Sequence, residues 1–178
     1  MHKDMREVLI TEEEIISRIK ELGKEISDYY RDKEPVIVVG LLKGSVPFMA
    51  ELIKHIDLDI EIDFMDVSSY VGTESQSDVR INKDLDRSIN DCHVLLVEDI
   101  VDTGKTLARV KEMMHSKGAE DVKIVTLLNK EERREVEIHV DYVGFEVPNE
   151  FVVGFGLDFN QKYRNLPYIG VLKEECYK

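Results

Sequence analysis

VLLVEDIVDTGKT, residues 94–106, runs from four apolar residues through two adjacent acids into an Asp-Thr-Gly-Lys-Thr turn. A strand that is apolar at every position is one buried on both faces, which places Val94 to Val97 inside a parallel sheet covered by helices. After the turn, Leu107, Val110 and Met114 recur at helical spacing and Gly118 stops the pattern. The unit is strand, loop, helix. In open parallel sheets ligands bind beyond the carboxyl ends of the strands, where the next helix offers unpaired N–H groups and a partial positive charge. Glu98 to Thr106 falls in that place. Gly104 lets the backbone approach a ligand closely, and Thr103 and Thr106 add hydroxyl donors, so the turn can hold a phosphate monoester without a charged side chain.

Three simpler readings of the acids fail. An NTPase P-loop, G-x-x-x-x-G-K-[ST], requires glycine at position 99, where this chain has Asp99. A phosphoacceptor receiver domain also opens on a strand ending in acids, but beginning at residue 94 it leaves too little chain for five βα units and no role for the long N-terminal segment. Acids at a helix start are favoured by the macrodipole, at about 0.3 to 1 kcal/mol each. One acid fits that account; Glu98, Asp99 and Asp102 together do not.

The flanking sequence builds the same architecture. Thr11 and Glu14 have capping-box spacing, and Ile15, Ile19, Leu22, Ile26 and Tyr29 then mark an amphipathic helix. PVIVVG (35–40) is a short β-branched strand, followed by the loop LLKGS and a helical pattern at Val46, Met49, Ile53 and Ile56. In LDIEIDFMDVSS (58–69) the alternation of Leu58, Ile60, Ile62 and Phe64 predicts a strand with one wet face. YVGTESQSDVRINKD (70–84) is polar and long for a mere connection, in the manner of a lid. VKIVTLLN (122–129) is another buried strand, and YVGFEV, FVVGFGLDF and YIGVLK read as short strands without helices between them. The expected fold is α/β: one domain over residues 1–178, with a central, mostly parallel sheet flanked by helices and a small accessory subdomain from the terminal segments.

Composition bounds the function. With 24 Lys and Arg against 37 Asp and Glu, the formal charge is −13, which repels nucleic acid and anionic membrane and leaves any anion site to local donors or a bound cation. Cys92 and Cys176 have no metal-like spacing and read as reduced thiols. No apolar run approaches the roughly 18 residues of a membrane span, and the N-terminus turns acidic before any signal-like core. A soluble, cytoplasmic protein is expected. The histidines at 2, 55, 93, 115 and 139 form no constellation.

VLLVEDIVDTGKT resembles the phosphoribosyl pyrophosphate motif of the type I phosphoribosyltransferases. In that family the adjacent acids face the ribose hydroxyls and the turn holds the 5′-phosphate. The division is physically sound, because a diol donates to carboxylates while a phosphate needs donors. VVGLLKGSVPF (38–48), VSSY (67–70), LLNK (127–130) and VPNEFVVGFGLDFNQKYRNLPYIGVL (147–172) extend the resemblance along most of the chain to the hypoxanthine-guanine branch in its short bacterial form.

The resemblance implies a type I phosphoribosyltransferase fold with a hood built from both termini and a mobile loop at about 69–84. It assigns Leu42, Lys43 and Gly44 to the pyrophosphate loop, where the family has a non-proline cis peptide before the lysine. Ser69 and Tyr70 open the mobile loop, whose closure excludes water. Glu98 and Asp99 meet the ribose, with direct metal ligation left open; Thr103, Gly104, Lys105 and Thr106 form the phosphate turn. For Lys105 the backbone N–H is expected to matter more than the charge. Asp102 is the catalytic residue, taking or sharing the purine N7 proton. Lys130 donates to O6, which favours 6-oxopurines over adenine. Phe151 stacks on the base, a contact worth about 1 to 3 kcal/mol, and Val152 offers backbone groups or serves the core. Asp158 ligates Mg²⁺ on the pyrophosphate, and Arg164 contacts the pyrophosphate.

The implied reaction is Mg²⁺-dependent purine salvage: phosphoribosyl pyrophosphate and hypoxanthine or guanine give IMP or GMP and pyrophosphate. The partners are small-molecule substrates, with no nucleic acid or membrane, in a homodimer or homotetramer. Two alternatives stand beside it. A regulator that senses phosphoribosyl pyrophosphate would keep the 97–106 stretch but need not keep Lys43, Tyr70, Lys130 and Asp158. A transferase for xanthine or another 6-oxopurine would keep them all.

Overall fold

The computed structural model describes residues 1–71 and 77–178. Two sheets divide the chain. The larger has the order β4-β3-β2-β5-β6-β7, formed by β2 (Val36–Leu41), β3 (Ile60–Val71), β4 (Ser77–Lys83), β5 (His93–Val101), β6 (Asp121–Asn129) and β7 (Tyr142–Glu146). All its pairings are parallel except β3 with β4. The smaller is antiparallel, in the order β1-β9-β8, from β1 (Met5–Ile10), β8 (Val152–Val153) and β9 (Ile169–Leu172). It joins the two ends of the chain into the expected hood.

Both faces of the large sheet are covered. Leu95 and Val97 point into a core with helices α1 (Glu12–Tyr30) and α2 (Val46–Leu52), while Val94 and Leu96 point into a second core with α3 (Lys105–Ser116). Each buried Val or Leu contributes about 1.5 to 3 kcal/mol of transfer free energy, which explains why β5 needs no polar position before Glu98. The Thr11 hydroxyl accepts from the Glu14 amide and the Glu14 carboxylate accepts from the Thr11 amide, the capping box read from the spacing. Among the described residues no helix is long and apolar enough to cross a membrane.

Several details depart from expectation. The last inward residue of α1 is Tyr30, fully buried, with Tyr29 turned to the side, where its hydroxyl donates to Asp121 at 2.6 Å. On α2 the buried residues are Phe48, Met49 and Leu52, while Val46 is exposed; the helix ends at Leu52, and Ile53–His55 tightens into a 3₁₀ turn. On β3 the face read as wet is the more deeply buried. Asp63 and Met65 are buried and Ile62 is exposed, because α3's core continues under β3 while the short α2 does not reach Ile62. Asp63 tolerates burial because its carboxylate accepts from the Phe64 and Asp86 amides, at 2.8 and 2.9 Å. The polar stretch 70–84 is not a plain loop: Ser77–Lys83 is β4, which pairs back on β3. Residues 72–76 and the side chain of Tyr70 lie outside the described residues. YVGFEV joins the main sheet rather than the hood, since the connection from β6 to β7, though without a full helix, is long enough for a parallel return.

The hood meets the sheet at a glycine pair. Gly156 has φ +103°, and a Cβ there would lie 1.9 Å from the Gly44 carbonyl oxygen. Gly156→Ala is expected to cost more than about 1 kcal/mol from the backbone conformation alone and to lever the hood off the β2–α2 loop. Thermal unfolding read with the Michaelis constant for substrate checks this; a parental melting temperature with unchanged kinetics would refute the close contact.

Candidate active site

The β2–α2 loop, the end of β3, the β5–α3 turn and the end of β6 lie at the carboxyl edge of the sheet, beneath the hood. Leu42–Lys43 is a cis peptide, as the resemblance implied. Among the described residues the N–H groups of Lys43 and Gly44 find no acceptor, so the loop presents free donors. Asp99 lies against it: a Cβ on Gly44 would sit 1.8 Å from Asp99 Oδ2. Only a glycine lets these two segments approach so closely.

Glu98 and Asp99 are neighbours toward the carboxyl end of β5, which stays paired with β6 as far as Val101. Burial, and then the neighbouring Asp99 carboxylate, push the Glu98 carboxyl well above the usual carboxylate range. Each acid also accepts from the backbone, Glu98 from the Asp99 amide at 2.9 Å and Asp99 from the Ile100 amide at 2.7 Å. Two crowded carboxylates of this kind favour a ligand that supplies hydroxyl donors or a cation. Gly104 has φ +83° and serves as the N-cap of α3, so the first turn of the helix opens onto the site. Glu98, Ile100, Asp102, Thr103, Gly104 and Thr106 line a cavity of about 230 Å³ there. The Thr106 and Ser69 hydroxyls are 3.1 Å apart, which ties the end of β3 to this turn. The Lys105 ammonium pairs with the Glu135 carboxylate, and its backbone N–H donates to Thr103 Oγ1 at 3.4 Å.

A second cavity of about 420 Å³ adjoins the first, and Ile100 and Asp102 line both. Around it stand Asp102, Lys130, Phe151, Val152 and Asp158, five residues from three separate stretches of sequence. Lys130 is 9% exposed, and its ammonium donates to the Glu150 carbonyl of the hood at 2.7 Å. Burial holds its pKa below the ordinary lysine value, against an opposing pull from Asp102. The Phe151 ring packs edge-on to Phe159 and stacks on Tyr177, 4.7 Å between centroids. The Val152 side chain belongs to the core.

In the hood, Asp158 accepts from the Gln161 amide at 2.8 Å and lies 3.4 Å from the Arg164 guanidinium. Gln161 Oε1 accepts from Arg164 at 3.2 Å and from Lys43 at 3.5 Å, bridging the hood to the β2–α2 loop. Among the described residues Arg164 Nε is buried without a partner, an orphan donor at a site expected to take an anion. No group of three metal-ligating side chains forms among the described residues. A Mg²⁺ ion is commonly held by one or two carboxylates with substrate phosphates and water, and carboxylates stand on two sides of the site. Asp158, and at the other side the Glu98–Asp99 pair, are the oxygen donors available.

Sequence reasoning passed over Ile100, Arg133, Asn149, Glu150, Leu157 and Tyr177, all of which line the larger cavity. Arg133 alone carried a signal, standing three residues after Lys130. The others are apolar, or act from ordinary loop and chain-end positions.

The family model for the phosphoribosyl transferase domain matches residues 8–160. The chain is 56% identical to a hypoxanthine-guanine phosphoribosyltransferase of Lactococcus lactis, over 99% of this chain and 96% of that one. It superposes on the crystal structure of a hypoxanthine phosphoribosyltransferase from Staphylococcus aureus with a TM-score of 0.95 at 51% identity, covering 100% of this chain and 97% of the other. With a Trypanosoma cruzi hypoxanthine phosphoribosyltransferase in complex with IMP the TM-score is 0.94 at 40% identity, and 99% of each chain is covered. Sheet order, terminal hood and the 94–106 motif at the sheet's carboxyl edge agree with these matches: the chain belongs to the phosphoribosyltransferase family and has the type I fold.

Proposed function

We propose that this chain catalyses Mg²⁺-dependent transfer of the 5-phosphoribosyl group from phosphoribosyl pyrophosphate to hypoxanthine or guanine, forming IMP or GMP and pyrophosphate in purine salvage in the cytoplasm. The observation that carries this reading is the pair of adjoining cavities sharing Asp102, one built from phosphate-binding backbone and the other from a buried ammonium and an aromatic ring. Such a pair accommodates a sugar phosphate and a base at bonding distance from each other.

The residues divide the work. Backbone N–H groups of the 103–106 turn and the Thr103 and Thr106 hydroxyls hold the 5′-phosphate, with the Lys105 N–H, which donates to Thr103 Oγ1 at 3.4 Å, turning to the ligand when it binds, and Glu98 and Asp99 accept from the ribose hydroxyls. Lys43 and Gly44 amides and Arg164 receive the pyrophosphate. In the base pocket Phe151 stacks on the purine and the Lys130 ammonium, which has donors only, selects a 6-oxo acceptor. The N9–C1′ bond forms as the C1′–O bond to pyrophosphate breaks, its electron pair leaving with the pyrophosphate; the proton at N7 passes to, or is shared with, an Asp102 carboxylate oxygen. Asp158, with Glu98 and Asp99 as further donors, would hold Mg²⁺, which when bound neutralises charge on the departing pyrophosphate. A cation arriving with the substrate also reconciles a polyanionic ligand with a chain of charge −13. The chain works as a homodimer or homotetramer.

Steady-state assays with hypoxanthine, guanine, xanthine and adenine, each with and without Mg²⁺, test the whole reading. Product is expected from the first two bases and only with the metal, and Lys130→Ala should lower kcat/KM for both by about tenfold or more. Absence of product from every base would point back to a regulator; a strong xanthine rate would move the substrate class.

Asp102→Asn should reduce kcat by about 100-fold or more while phosphoribosyl pyrophosphate binding, read by calorimetry, stays within a few fold. Parental turnover in this variant would end the proposed proton role.

A further inference from the structure

The β6–β7 connection closes over the site in a way that the transfer reaction as described leaves unused. Residues Glu131–Arg133 form a 3₁₀ turn with Lys130 as its N-cap, and the Arg133 amide donates to the Lys130 carbonyl at 3.1 Å. Side chains three apart on such a turn eclipse one another, so Arg133 falls on the same side as Lys130 and both line the larger cavity. There Arg133 Nε donates to Asp102 Oδ1 at 3.0 Å. The other Asp102 oxygen has no hydrogen-bond partner among the described residues.

The same connection grips the turn that carries Asp102. Lys130 N donates to the Val101 carbonyl at 2.9 Å, Glu135 N to the Thr103 carbonyl at 3.0 Å and Arg134 Nε to the Asp102 carbonyl at 3.3 Å. Arg134 is itself anchored on the Asn129 side-chain oxygen. The backbone of Asp102 is thus held from the β6–β7 connection, and its side chain, among the described residues, from Arg133.

Resting on the proposed transferase reading, we propose that Arg133 is the positioning residue for Asp102: its Nε fixes one carboxylate oxygen and so leaves the other turned to N7 of the purine. The pair is about half exposed in the open pocket, at 47% for Arg133 and 44% for Asp102, where such a bond is weak. A base filling the cavity removes water from it and strengthens the same bond in the low-dielectric interior. Arg133 therefore orients Asp102 most firmly when the purine is present.

The test compares Arg133→Met, Arg133→Lys and the parent, each also combined with Asp102→Asn, in hypoxanthine transfer. Arg133→Met is expected to lower kcat at least tenfold, with the KM for phosphoribosyl pyrophosphate within twofold and the melting temperature unchanged, and Arg133→Lys to restore part of the loss. In the Asp102→Asn background the Arg133→Met step should cost less than twofold, because there is no longer a carboxylate to orient. Parental kcat in Arg133→Met, or a loss in which the phosphoribosyl pyrophosphate KM and melting temperature move with it, overturns the proposal. So does a tenfold loss that persists in the Asp102→Asn background, which would make Arg133 a direct base contact. An inactive parent chain would instead defeat the transferase reading itself.

Discussion

Burial of β5 on both faces is the constraint on which the rest of this molecule depends. Val94 to Val97 alternate between the two cores with no exposed position, so the strand can sit only in the middle of a sheet covered by helices. Parallel pairing with β2 and β6 then brings the strand ends, at Leu41, Val101 and Asn129, to one edge. Three groups of functional residues stand at that edge: the donors of the β2–α2 loop, the acids at the end of β5 with the turn that follows, and Lys130 after β6.

The hood turns this edge into a pocket. It touches the sheet through backbone as much as through side chains, at Gly44 against Gly156 and where Lys130 donates to the Glu150 carbonyl. A buried ammonium tied to a carbonyl keeps two donors for a ligand, and its burial is tolerable because Asp102 lies close enough to oppose the desolvation. Asp102, paired with Arg133 and shared by both cavities, is where the base pocket and the phosphate turn are joined.

Legibility followed periodicity and local chemistry. The buried strands and the residues on α3 were readable because apolar runs and helical spacing report directly on burial. The capping box was readable because it is closed within four residues. β3 departs from its pattern for a different reason. Its alternation marked a strand, but which face is deeper depends on how far α2 and α3 reach, and a buried Asp63 satisfied by Phe64 and Asp86 amides looks from sequence like a solvent position. Tyr30 replaced Tyr29 at the inner end of α1 because adjacent tyrosines offer equal hydrophobicity, and the packing of the sheet beneath chose between them.

The sequence by itself determined the strand–turn–helix unit at 94–118, the parallel sheet and the chemical character of the site, because covalent neighbours supply the acids, the glycine and the unpaired amides within one turn. Only the tertiary structure decided which distant residues complete the pocket. Arg133 beside Asp102, Tyr177 on Phe151 and Gln161 against Lys43 join residues 31, 26 and 118 positions apart. Such meetings follow from strand order and hood closure, and no local pattern of side chains encodes them.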